Sequence, residues 1–167
     1  MITLSIKEDG EMISSLIKSF FQAKGIRFCQ NHSQTDCDYI FLPPSASHCD
    51  VLLINNPNKT QKCRGDYITL LNTDETITEE INNKSLLISY GLNPLATITA
   101  SSIRQEDEKT VFSCCLQRSI VTLKGKFIEP QEFPVAINAP VSNLHSIMAF
   151  VSLGLVLSFI PADFYMQ

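Results

Sequence analysis

The sequence predicts an α/β fold: a P-loop-like, mostly parallel sheet with helices, extended by a smaller antiparallel group of strands in the C-terminal half. Two observations predict it. Over residues 1–92, short apolar runs alternate with turns or helices, and four runs are nearly continuous, as in parallel strands covered on both faces. Over residues 96–138, β-rich runs are joined by short turns such as QEDEK and KGK, a pattern typical of antiparallel strands.

The length and composition indicate one folded domain. The chain has 167 residues, of which 44% are hydrophobic and 18% are charged, so it can bury a sizeable core and does not resemble a disordered chain. We therefore expect a single domain over 1–167, with a closing helix over 140–160 as its last element. The formal net charge is −4 and the sequence has no basic cluster, so nucleic acid is not an expected partner.

The first half begins with a strand and an amphipathic helix. MITLSI is apolar and β-rich, and EDGEMISSLIKSFFQAKG repeats apolar residues at the spacing of one helical face and ends on Gly25. Five further strands are predicted in IRFCQ, DYIFLPP, DVLLINN, DYITLLN and SLLISY. The connection between DYIFLPP and DVLLINN is too short for a crossover helix. Either some connections are reduced or the strand order in the sheet is not sequential.

The second half is predicted to form four strands and a final helix. The strands are ATITASSIRQ, TVFSCCLQ, SIVTLKG and KFIEPQEFPVAIN, and the helix is APVSNLHSIMAFVSLGLVLSF. A membrane span requires about 20 apolar residues, whereas Asn143, His145 and Ser152 interrupt this segment. The sequence therefore favours a buried helix over a tail anchor, and a membrane is not an expected partner.

The N-terminal charges indicate that the protein stays in the cytoplasm. Lys7, Glu8 and Asp9 interrupt the region where a signal peptide requires an unbroken apolar core. The six cysteines are accordingly expected to be reduced thiols. A zinc site is not predicted, because the candidate ligands form no CxxC pair; these candidates are Cys37, His48, Cys49 and Cys63. Cys114 and Cys115 are adjacent in a predicted strand and should point to opposite faces.

The KEDGEM turn after the first strand lies where a phosphate-binding loop would lie. Such a loop follows the pattern GxxxxGK and then Ser or Thr, in which lysine neutralises phosphates and the hydroxyl holds magnesium. Here Gly10 is followed by Glu11 and Met12. A carboxylate at that position repels a triphosphate, and Glu8 and Asp9 add to the repulsion. The turn therefore predicts a plain helix start.

Four segments together resemble the central, ATP-binding domain of the Mur ligase family of amide-bond ligases. The strand–turn–helix unit around KEDGEM resembles the start of that domain, and DYITLLNTDE resembles its strand ending in an Asn-Ala-Asp-Asp type turn. ISYGLNPLATITASSI resembles its Tyr-Gly segment, and APVSNLHSIMAFVSLGLVL resembles its Gly-x-His-Asn helix. The segments occur in the family's order. The resemblance implies a reduced, degenerate central domain standing alone.

Most functional residues of that family do not carry over. Its P-loop lysine and hydroxyl match Glu11 and Met12, and its magnesium-binding glutamate matches the segment with Pro43 and Pro44. Its His/Asp segment matches NNPNK. Asn143 is the one residue that the resemblance implies as an adenine contact, while Gly10 marks the degenerate loop and is expected not to bind. No cofactor is therefore expected, and no catalytic residue or metal ligand is predicted.

No other constellation predicts catalysis. His32, His48 and His145 belong to different elements, and the sequence has no GxSxG elbow. The acidic run DETITEE is interpreted as a solvated helix start. The function predicted is a non-catalytic binding or interaction module with a protein partner or a second copy as ligand. The alternative is a nucleotide-binding enzyme or a ligase subunit completed by separate partner domains, which alone would use ATP and magnesium.

Overall fold

One nine-stranded sheet organises the structure, with the strand order β11-β8-β7-β6-β5-β4-β1-β3-β2. The computed structural model describes residues 1–30, 36–43, 45–46, 48–56, 68–75 and 85–165. The predictions of a mostly parallel α/β sheet and of an antiparallel C-terminal group are both confirmed, with one refinement. The long antiparallel strands extend the main sheet, and only a small hairpin is separate.

Seven strands of the sheet run parallel to one another. Their apolar, β-branched sequences suit strands whose two faces are both covered. Every residue of β4 and β5 is buried. The strands are β1 Ile2–Lys7, β2 Phe28–Gln30, β3 Tyr39–Leu42, β4 Val51–Ile54, β5 Ile68–Asn72, β6 Leu86–Tyr90 and β7 Ile98–Glu106.

The C-terminal strands pair in antiparallel fashion. β8 (Lys109–Leu116) pairs with β7 and with β11 (Gln131–Ile137), and the separate hairpin consists of β9 (Ile120–Val121) and β10 (Phe127–Ile128). The segment KFIEPQEFPVAIN, expected as one strand, is thus divided between β10 and β11. The turn at Asp107, which has a φ of +50°, closes the β7–β8 hairpin.

The strand order explains the short connection that the sequence showed. β3 and β4 are not neighbours, because β1 lies between them: Leu4 pairs with Phe41 of β3 on one side and with Val51 of β4 on the other. Of the two alternatives that the short connection leaves open, the structure has the non-sequential strand order. β1 is therefore an interior strand, and the KEDGEM turn that follows it lies at the carboxyl-end edge of the sheet, away from its two sides.

Both described helices pack on the same face of the sheet. α1 (Met12–Ala23) buries the stripe predicted from its spacing, including Ile13, Ile17 and Phe20, and Gly25 follows it with a φ of +66°, the left-handed conformation that favours glycine after a helix. α2 (Leu144–Val156) follows a 3-10 turn at Val141–Asn143. The helix is therefore shorter than the predicted 140–160.

α2 is buried on nearly all sides. From Ile147 to Val156 every residue is buried, and the helix contacts α1 and the sheet. This explains why the segment is apolar all around instead of along one stripe. Among the described residues, no helix has the length and apolar character needed to cross a membrane.

An aromatic cluster joins the two helices to the C-terminal segment. The ring of Phe164, which is fully buried, stacks against Phe20 with centroids 6.1 Å apart and meets Phe150 edge-on at 5.8 Å. Gly154 of α2 lies beneath this ring: a Cβ atom there would be 2.5 Å from the ring of Phe164. The close approach of ring and helix therefore requires glycine at this position.

The cysteines differ from the expectation of reduced thiols. Cys29 of β2 and Cys37 form a disulfide with an S–S distance of 2.11 Å, so that expectation is wrong for these two residues. Cys114 is buried and Cys115 is partly exposed, which confirms that they point to opposite faces. Burial raises the pKa of the Cys114 thiol to about 12, so this thiol is unreactive near neutral pH.

Candidate functional site

The first turn of α1 is occupied by a carboxylate of the chain itself. Glu8 accepts hydrogen bonds from the backbone N–H of Ile13 at 2.7 Å and of Ser14 at 3.0 Å, and from the Ser14 hydroxyl at 2.5 Å. The first N–H groups of a helix have no partner within the helix and form the usual binding position for anions. In this protein Glu8 satisfies two of them, those of Ile13 and Ser14.

Gly10 and Glu11 complete the KEDGEM turn without taking part in this contact. Gly10 has a φ of +82°, and Glu11 precedes the helix without a capping bond from its side chain. Gly10 lines a cavity of about 320 Å³, whose other lining residues include Glu8, Glu11 and Lys18. The predicted degenerate loop position thus borders a cavity that also carries two carboxylates.

A second cavity of about 420 Å³ opens at the carboxyl ends of the parallel strands and at the start of α2. Ligands of open α/β sheets commonly bind at this edge. All of its described lining side chains are polar: four are the asparagines 55, 56, 72 and 143, and the others are Asp9, Glu75, Ser142, His145 and Ser146. We call it the amide pocket. Asn143 lies in it, whereas Gly10 lines the other cavity.

A buried hydrogen-bond network fixes the floor of the amide pocket. Tyr90, which is fully buried, donates its hydroxyl to the Asn55 Oδ1 at 2.8 Å. Asn72, which is 2% exposed, donates to the Asn55 carbonyl at 3.3 Å and accepts the Asp74 N–H at 3.0 Å. Burial raises the pKa of Tyr90 well above its ordinary value, with smaller contributions from Glu8 and Asp74. The tyrosine therefore remains a neutral donor.

Asp74 connects three segments at the rim of the pocket. Its carboxylate accepts the N–H groups of Leu92 at 2.5 Å and Asn93 at 2.8 Å, and lies 2.8 Å from the Nε2 of His145 at the start of α2. Burial acts to raise the pKa of Asp74, but the two backbone donors and His145 together lower it. Asp74 is therefore a carboxylate at neutral pH.

Gly91 gives Asp74 the room for these contacts. It has a φ of +149°, and a Cβ atom there would lie 2.7 Å from the carboxyl carbon of Asp74. Only glycine combines this backbone conformation with so close an approach. The close contact with Asp74 therefore explains why the Tyr-Gly segment has a glycine at position 91.

The structure brings together residues that sequence reasoning had kept apart. The sequence predicts no partner for His145 and places Asp74 in a solvated acidic run, yet the two residues are hydrogen-bonded. The rest of that run, residues 76–80, lies outside the described residues. The signal available was positional, because carboxyl ends of neighbouring parallel strands meet at one edge.

The candidate metal ligands do not converge in the part of the chain that the structure describes. Cys37 is in the disulfide, and no group of three His, Cys, Asp or Glu side chains is suitable for a metal ion among the described residues. Cys63, His32, Pro44 and the Pro57–Lys59 part of NNPNK lie outside them.

Comparisons with known proteins show a Mur ligase-like fold. MurF from Acinetobacter baumannii superposes with a TM-score of 0.62 at 11% sequence identity, over 98% of this chain and 44% of that one. MurF ligase from Thermotoga maritima in complex with ADP gives a TM-score of 0.63 at 8% identity, over 99% and 48%. This chain thus spans less than half the length of either ligase. Its sequence matches no protein-family model and no curated protein.

Proposed function

We propose that this chain is a non-catalytic binding domain that has a Mur ligase-like fold and has lost ATP-dependent ligation. One observation carries the proposal: the carboxylate of Glu8 occupies the first N–H groups of α1. A phosphate would have to displace this carboxylate and would then lie beside it. Because both groups are anions, the two cannot share the position without strong repulsion.

The charges of the turn support the same conclusion. Glu8, Asp9 and Glu11 place three carboxylates within KEDGEM, and Lys7, its one basic residue, is only 1% exposed. Phosphoryl transfer depends on cations that neutralise the transferred group. A turn with this charge does not supply them.

The alternative function is nucleotide binding in an enzyme or in a ligase subunit that separate domains complete. The observation that favours it is Asn143, the residue implied as an adenine contact, which lines the amide pocket. Under this alternative alone, ATP and magnesium would be cofactors.

Calorimetric titration with ATP and Mg²⁺ separates the two functions. We expect no binding heat from the wild-type chain up to millimolar ATP. Micromolar binding that is lost in Asn143→Ala would contradict the proposal and support the alternative.

Glu8→Ala should lower the free energy of unfolding, measured by urea denaturation, by about 1–2 kcal/mol, because the N–H groups of Ile13 and Ser14 lose their acceptor. The matched control is Glu11→Ala, whose side chain makes no capping bond and which should leave stability nearly unchanged.

The proposed partner is a protein or a second copy of this chain. Large apolar side chains next to the strand ends support it, since Leu92 is 44% and Leu95 is 73% exposed. Exposed apolar groups that cluster on a surface are common at protein interfaces.

The proposed location is the cytoplasm, and the Cys29–Cys37 disulfide is the observation against it, because disulfides persist mainly in oxidising compartments. Trapping thiols with an alkylating reagent at the moment of cell lysis, followed by mass spectrometry, measures their state. A cytoplasmic protein is expected to yield alkylated Cys29 and Cys37. Recovery of the intact disulfide, with Cys114 and Cys115 still thiols as the internal reference, would contradict the location.

A further inference from the structure

The amide pocket has the chemistry to bind a ligand that is rich in hydroxyl groups. Its volume of about 420 Å³ falls in the range of small-molecule sites, about 300–1,000 Å³. No apolar side chain is among its described lining residues, and most of them carry amides or hydroxyls. A ligand that fits must therefore offer many hydrogen-bonding groups and little apolar surface.

The described carboxylates of the pocket oppose the binding of anions. Asp9 and Glu75 line it, and none of its described lining residues is lysine or arginine. Asp74 at the rim, which binds His145, adds a third carboxylate. A phosphate or carboxylate ligand would meet repulsion from these carboxylates, with no lysine or arginine among the described lining residues to compensate it.

The donors and acceptors of the pocket are held in place. The Oδ1 of Asn55 accepts the hydroxyl of Tyr90 at 2.8 Å, which leaves the two hydrogens of its amide nitrogen to serve as donors. Because Tyr90 is fully buried and Asn72 is 2% exposed, this amide is fixed from below before any ligand arrives. Preorganised groups of this kind reduce the entropic cost of binding.

The remaining polar groups stand at the start of α2. Asn143 makes no capping bond with its side chain, and Ser142 and Ser146 flank it in the pocket wall. An amide offers an acceptor and a donor side by side, and each hydroxyl of a polyol both donates and accepts. Neighbouring hydroxyl groups of a sugar can therefore pair with both the donor and the acceptor of each amide.

We propose that the amide pocket binds a polyhydroxylated small molecule without an anionic group, of about monosaccharide size. This proposal rests on the binding function proposed above and gives the ligand class of one of its sites. It differs from the nucleotide alternative because a nucleotide brings phosphates, which the carboxylates of this pocket oppose.

Saturation-transfer NMR on the full chain tests the ligand class. The probes are glucose, glucosamine and glucose 6-phosphate, which share a ring and differ in charge. We expect transfer to glucose and glucosamine, and at least fivefold less to glucose 6-phosphate. Asn143→Ala and Asn55→Ala should each reduce the glucose signal at least fivefold. Ser101→Ala is the control, since Ser101 is exposed on β7 outside the pocket, and it should keep the signal.

Three results would overturn the inference: no transfer to any sugar, equal transfer in Asn143→Ala, or stronger transfer to glucose 6-phosphate. A failed fold is recognised from the circular dichroism spectrum, and the Asn143→Ser variant, which keeps a polar side chain, then replaces Asn143→Ala. The ATP titration is independent of these outcomes. Absence of both sugar and ATP binding would overturn the ligand class while the non-catalytic domain stands, whereas micromolar ATP binding would overturn that proposal itself.

Discussion

Replacing Phe164 by alanine is expected to lower the free energy of unfolding by about 3–5 kcal/mol, the range for truncating a buried aromatic ring. The ring is fully buried and contacts Phe20 and Phe150, so its removal leaves a cavity between the two helices and the C-terminal segment. Urea denaturation followed by circular dichroism measures the change. Phe127→Ala is the control, because Phe127 is 74% exposed and its loss should change stability by much less.

A double variant tests whether this cost arises from the contact with α2. Gly154→Ala alone should destabilise the wild type by about 1–3 kcal/mol through overpacking, since the new Cβ would be 2.5 Å from the Phe164 ring. In the Phe164→Ala background the ring is absent and the same substitution should cost little. Additive effects of the two substitutions would show that they do not interact, contrary to the close approach described.

Asp74→Asn is expected to lower the free energy of unfolding at neutral pH by about 2–3 kcal/mol, since hydrogen bonds to a charged acceptor are lost. The effect should depend on pH. The pKa of Asp74 is lowered from its ordinary 3.8 in the folded protein, so its stabilisation is present above that value and is lost as the pH falls through the lowered pKa. The difference between wild type and variant should therefore shrink in acid. Glu75→Gln is the control, because Glu75 hydrogen-bonds to none of the described residues.

Gly91→Ala should produce part of the same phenotype without altering a charge. Its Cβ would displace the Asp74 carboxylate, so we expect lower stability by about 1–3 kcal/mol and a weaker loss of stability in acid. Gly10→Ala is the matched control: its φ of +82° carries the same kind of backbone strain, but no atom lies within 4 Å of a Cβ there. If the two variants behaved alike in acid, contact with Asp74 would not be the cause.

Much of the fold was predictable because local patterns determine it. The apolar stripe of α1 and the continuous apolar runs of β4 and β5 identify element type directly, whereas the short link before β4 left open either a reduced connection or a non-sequential strand order. The position of β1 between β3 and β4 decides between these two alternatives, and no local pattern in the sequence predicts it. The end of α2 at Val156 was less predictable. Ser158, which follows the helix, has a φ of +74°, a conformation that is more common for glycine than for serine.

The candidate site was predictable only in part. The charge of KEDGEM argued against phosphate from the sequence alone, but the return of Glu8 onto the N–H groups of Ile13 and Ser14 depends on the shape of the turn. The Asp74–His145 contact joins residues 71 positions apart, and spacing along a chain does not report such pairs. The disulfide of Cys29 and Cys37 contradicts the prediction of reduced thiols, because that prediction rests on the expected compartment and spacing along the chain does not show which cysteines lie close together.

The position of β1 in the sheet has a consequence for the kinetics of folding. β1 and α1 are synthesised before the other elements of this fold, yet β1 gains its second neighbour only when residues 51–54 are present, and Phe20 meets its ring partners only when Phe150 and Phe164 are present. Such contacts between distant parts of a chain form slowly. Phe21 of α1 can pack early against Tyr39 and Phe41, but Phe20 lacks its ring partners until the C-terminal third of this domain is added. Apolar surface left exposed in this way makes a nascent chain prone to aggregation.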